Sequence, residues 1–125
     1  MTKVYRVEDP IRGEGLWRNI FGEHSPVFDR LTDGKVREMP MDDAPEIYQQ
    51  DGKHWFASAP TSETLQHWFS IQDLEELEAI EYGIFEIEVK NEKVLNPFET
   101  IFTRDNIISM KKIGIADIYP EYKKK

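Results

Sequence analysis

Phe98-Glu99-Thr100-Ile101-Phe102, then Thr103-Arg104-Asp105-Asn106, then Ile107-Ile108-Ser109-Met110-Lys111-Lys112-Ile113: this late stretch decides how the chain folds. Two runs rich in β-branched and aromatic residues flank a short polar, turn-like linker, so they read as two successive strands. The first opens on Glu99. A carboxylate at the mouth of an apolar strand is costly to place without a partner or a function. Upstream, Ile84 to Val89 alternates cleanly, with Phe85, Ile87 and Val89 on one face and Glu86 and Glu88 on the other. Asn91-Glu92 forms the next turn, and Val94-Leu95 is a short apolar piece stopped by Asn96-Pro97.

Before these strands the period changes to that of a helix. Pro60-Thr61-Ser62 reads as a helix start, with Thr61 or Ser62 as N-cap, and Leu65, Trp68 and Phe69 share one helical face. Ser70 begins a second helix, with Asp73 completing a variant of the capping box. Leu74, Leu77 and Ile80 continue at helical spacing, Glu75, Glu76, Glu78 and Glu81 take the wet side, and Gly83 is placed to close the helix. At the other end of the chain, Lys3-Val4-Tyr5-Arg6-Val7 is a strand ended by Asp9-Pro10. From Gly22 to Gln50 prolines and Asp33-Gly34 break any long element, leaving an irregular segment of a length that usually carries function or disorder. Strands at both ends with helices between them give an α+β fold: one domain, a mainly antiparallel twisted sheet, and one or two helices. The sheet is expected near residues 4–7, 54–58, 84–89, 99–102 and 107–113, and helices near 62–69 and 71–81.

At 125 residues the chain has room for one core and not for two. Its net charge of −8 argues against nonspecific binding to nucleic-acid phosphates or anionic lipid, and fits a free cytosolic protein or one that docks on a basic surface. There is no cysteine, hence no disulfide framework and no thiolate or zinc-thiolate chemistry. No apolar run approaches the roughly 20 residues of a membrane span, and the N-terminus lacks the apolar stretch of a signal peptide, so the cytoplasm is the expected compartment. His24, His54 and His67 lack metal-ligand spacing, and no metal is expected. Four strand residues separate His54 from Ser58 by more than about 10 Å, which leaves a serine–histidine hydrolase poorly founded.

Three residues stand out as candidate chemistry. Arg6, inside the first strand, offers a fork for a phosphate or ribose; the other reading is an arginine on the wet face of an edge strand. Ser58 ends a strand directly before a helix start, where a hydroxyl binds a ribose or merely shapes the turn. Glu99 is placed to bond a ribose hydroxyl and to stabilise a developing oxocarbenium ion, or else faces solvent beside a lysine. The aromatic faces of Trp17 and Trp55 suit stacking on a base, and equally suit packing in a core.

Val4-Tyr5-Arg6-Val7, Phe56-Ala57-Ser58 before a helix, and Glu99-Thr100-Ile101-Phe102 followed by Asp105-Asn106-Ile107-Ile108-Ser109 together resemble the ADP-ribosyltransferase superfamily. That resemblance implies NAD as cofactor or ligand, with Arg6 on a phosphate, Ser58 on the ribose, Glu99 against the cationic transition state, and Trp17 or Trp55 walling the cleft. The match departs from the family where Ser58 is followed by Ala59-Pro60 instead of a second hydroxyl, and where Pro97 replaces the acid or glutamine two before Glu99. These departures argue against transfer to arginine, and leave either an ADP-ribosyltransferase or a degenerate relative whose site binds a nucleotide or none. The Tyr-Arg-Val opening, the glycine turn and the helix from Thr61 to Phe69 also look like small bacteriophage proteins. The rival expectation is a non-enzymatic phage inhibitor presenting its acidic stretch, Asp73 to Glu81, to a host protein.

Overall fold

The computed structural model describes residues 2–9 and 48–123. Its strands are β1 (Thr2–Glu8), β2 (Gln49–Gln50), β3 (Lys53–His54), β4 (Phe56–Ser58), β5 (Gly83–Val89), β6 (Lys93–Asn96), β7 (Glu99–Phe102) and β8 (Ile107–Ile113). Its α-helices are α1 (Ser62–Trp68), α2 (Ile71–Ala79) and α3 (Ile115–Ile118). The α+β class and the antiparallel pairing follow the sequence reading; α3 and the weak strand β6 complete it.

The strands divide into more than the one sheet expected. β1-β5-β8 form one antiparallel sheet, β4-β7-β6 a second, and β2-β3 a hairpin. Among the described residues the two larger sheets meet at one bridge, where Tyr5 and Ala59 exchange backbone hydrogen bonds of 2.8 Å each way. Pro60 follows Ala59 at once, and without an N–H it cannot carry that ladder further.

Strand alternation then sorts the core into two clusters. Between the sheets lie Val4, Phe85, Ile87, Val89 and Phe102, with Phe56 and Ile107 packed against them. The second cluster gathers Val7 and Ile84 from the first sheet, Trp55, Ala57 and Ile101 beside the second, and the apolar faces of the helices: Leu65, Trp68 and Phe69, then Leu74 and Leu77, then Ile115 and Ile118.

The helix starts are those the sequence encodes. Thr61 caps α1, its hydroxyl accepting from Thr64 N–H at 3.1 Å. Ser70 and Asp73 form the reciprocal box on α2, with bonds of 3.0 and 3.1 Å. The end of α2 differs. Gly83 begins β5, and the left-handed residue that turns the chain is Glu81, at φ 71°. Tyr82 N–H bonds Leu77 O at 2.9 Å and Glu81 N–H bonds Glu78 O at 3.0 Å, the paired bonds of a Schellman cap. Gly83 is needed for another reason: a Cβ there would lie 2.7 Å from the Phe85 ring.

Candidate functional site

The three residues expected to converge lie on strands that can be compared directly. β4 and β7 pair in the register Phe56↔Phe102, Ala57↔Ile101 and Ser58↔Thr100. Alternation therefore sets Phe56, Ser58, Thr100 and Phe102 on the face between the sheets, and Ala57, Ile101 and Glu99 on the opposite face. The same rule puts Arg6 with Val4 on the inter-sheet face of β1. Arg6 and Ser58 share a face; Glu99 does not.

Burial separates them further. Ser58 is fully buried, and its hydroxyl donates to Thr100 O at 2.7 Å, across the ladder. That hydroxyl ties two strands together and has no open path to a ribose. Glu99 is buried too, and it accepts a short hydrogen bond from the Tyr48 hydroxyl. Trp55, on the same side, is a core residue: its indole N–H donates to Gln50 O at 3.1 Å, and the Lys93 ammonium sits 4.4 Å from the ring centroid. Trp17, the glycine turn at 13–15 and most of the irregular segment 22–50 lie outside the described residues.

Arg6 carries the chemistry that remains. It is buried, with Nε donating to Glu8 Oε1 at 2.8 Å and Nη1 donating to Ala57 O at 2.7 Å. Glu8 stands two residues on, so the strand period itself brings the pair to one face. The same carboxylate oxygen accepts from Arg104 Nη2 at 3.2 Å. Both guanidinium groups lie against one ring, with Arg6 Cζ 5.0 Å and Arg104 Cζ 4.3 Å from the Phe56 centroid. His54 meets that ring edge-on at 4.4 Å.

The electrostatics follow from this crowding. Burial lowers the Arg6 pKa from its ordinary value, Glu8 opposes that fall, and Arg104 adds to it. His54 is pushed below the usual histidine pKa, first by burial and then by the Arg6 and Arg104 charges. Its Nδ1 lies 2.7 Å from the Gln49 amide nitrogen. An amide nitrogen only donates, so Nδ1 is the acceptor and Nε2 carries the proton. The result is a neutral imidazole beside two cations, above a half-buried aromatic ring. The Arg6 side chain is buried, whereas the Arg104 side chain is 38% exposed, so access to the group is from the Arg104 side.

Among the described residues no three His, Cys, Asp or Glu side chains are grouped to hold a metal, and no helix is long and apolar enough to cross a membrane. Glu8, Phe56 and Arg104 were not among the residues singled out from sequence. Glu8 was legible as the strand partner of Arg6. Arg104 was not, because a polar turn gives no local sign of where its side chain reaches.

The model of the family described as Bacteriophage T4 Y00F protein matches residues 1–116, and the chain belongs to that family. No curated protein and no solved structure matches it.

Proposed function

We propose that this phage protein binds the phosphates of NAD or a related nucleotide at the Arg6–Arg104–His54 group around Phe56, as a binding protein and not a transferase. The observation that carries this reading is the convergence of two guanidinium groups and a neutral imidazole on one aromatic ring. Guanidinium matches phosphate oxygens in a forked geometry, and an imidazole N–H adds a donor without further charge repulsion. Arg104 makes the direct contact, the group keeps a net charge of +1 once Glu8 is set against the two guanidinium groups, and Phe56 holds both of them in place. The likeness of Val4-Tyr5-Arg6-Val7 to the first strand of ADP-ribosyltransferases supports the choice of ligand. The absence of transfer chemistry rests on Ser58 and Glu99, which the β4–β7 register sets on opposite faces.

Titration of the labelled protein with NAD, ADP-ribose and pyrophosphate, followed by amide NMR, tests the proposal. Shifts are expected at His54, Phe56 and Arg104, and Arg104→Gln should weaken binding about 10- to 100-fold, the worth of one charge-assisted hydrogen bond of about 1.5–3 kcal/mol. Unaltered spectra at millimolar ligand, or equal affinity in Arg104→Gln, would refute the site. Release of nicotinamide that Glu99→Gln abolishes would refute the non-catalytic part alone.

A further inference from the structure

The strand β8 forms one margin of its sheet: β5 lies on one side of it, and among the described residues no strand lies on the other. Five successive residues, Ile108 to Lys112, are exposed, with Ile108 at 45% and Met110 at 37%. Proteins commonly guard such a margin by covering it or bending it. Here a bulge interrupts the ladder opposite Glu88–Val89, which places Ile108 as the extra residue, while pairing from Ser109 to Ile113 is regular. The regular part offers a row of backbone donors and acceptors to a further strand.

What such a strand must look like is shown by the one β8 already accepts. In β5, Ile87 stands opposite Met110, Glu86 opposite Lys111, and Glu88 opposite Ser109. Lys112 lies along Phe85, its Cε 3.4 Å from the place a Cβ on Gly83 would take. β8 therefore pairs with a strand that alternates aliphatic or aromatic residues with glutamates, and its side chains serve both of its margins alike. We propose that the outer margin of β8 binds an extended segment of a partner protein with this alternation, by strand addition, with an acid meeting Lys111 and apolar residues meeting Met110 and the Lys112 stem.

A second copy of the chain fits poorly. Antiparallel self-pairing centred on Met110 sets Lys111 against Ser109 and Lys112 against Ile108, so no acid meets either lysine. Two copies would also bring together net charges of −8 each. An alternating acidic strand supplies the backbone bonds of strand addition together with charge complementarity.

The test uses a fluorescent, end-capped heptapeptide with the β5 sequence Gly-Ile-Phe-Glu-Ile-Glu-Val, and a control in which both glutamates are lysine. Anisotropy should show binding of the acidic peptide at least ten-fold tighter than the control, with amide NMR shifts centred on Ser109 to Ile113. Lys111→Glu should reverse that preference; Lys111→Ala, which leaves no new charge to disturb folding, should reduce it. Equal binding of the two peptides, shifts elsewhere on the protein, or no binding at millimolar peptide would overturn the proposal. So would sedimentation showing that a dimer forms through β8 and excludes the peptide.

Discussion

Replacing Glu8 by Gln removes one negative charge from between two guanidinium groups at nearly constant shape. The Arg6 side chain is 6% exposed and that of Glu8 3%, so water cannot step in for the lost carboxylate. Breaking a buried pair by changing one partner costs about 3–5 kcal/mol, because the other charge stays buried. Arg6 keeps its bond to Ala57 O at 2.7 Å, and the amide oxygen of the introduced glutamine can still accept, so the lower end of that range, about 3 kcal/mol, is expected. Against a typical domain stability of about 5–15 kcal/mol this is a large fraction. With a urea slope of about 2 kcal/mol/M it moves the unfolding midpoint down by about 1.5 M. Urea denaturation followed by tryptophan fluorescence measures it. The double substitution Arg6→Met with Glu8→Leu should recover most of the loss, since an apolar pair of similar volume leaves no buried charge. A loss in Glu8→Gln below about 1 kcal/mol would refute the reasoning, because the pair would then behave as a solvated one.

Three further outcomes follow from the backbone and from His54. Glu81→Gly should stabilise the fold by up to about 1.6 kcal/mol, the left-handed strain of about 1–2 kcal/mol less the added unfolded-state entropy of about 0.4–1 kcal/mol. Gly83→Ala should destabilise by about 1–3 kcal/mol through the clash with Phe85, and both are read by the same urea titration. Because burial, Arg6 and Arg104 lower the His54 pKa, the unfolded chain binds more protons than the native one below the ordinary value of 6.5. That contribution is fully present above pH 6.5 and is lost as pH falls through the folded pKa. His54→Gln should flatten the decline, and an unchanged pH–stability profile would show that His54 is not its source.

The order of strands and helices, their faces and the helix starts were determined by the sequence alone, because each rests on neighbours within a few residues. Phe85, Ile87 and Val89 alternate with Glu86 and Glu88, and the period of two sends them to opposite sides of β5 wherever that strand is placed. Thr61, Ser70 and Asp73 cap amide groups three residues away, so no tertiary contact is needed to read them. Arg6, Ser58 and Glu99 also stood out, but a marked residue is not yet a site. Only the tertiary structure decided that Ser58 and Glu99 face apart, because that depends on the register in which β4 meets β7 across 42 residues of chain. It alone brought Arg104 to Glu8 from 96 residues away. It also gave the left-handed turn after α2 to Glu81 and left Gly83 to make room for a ring. Local chemistry specifies which way a side chain leaves its own strand or helix; what it meets there is set by packing between segments that the sequence does not place side by side.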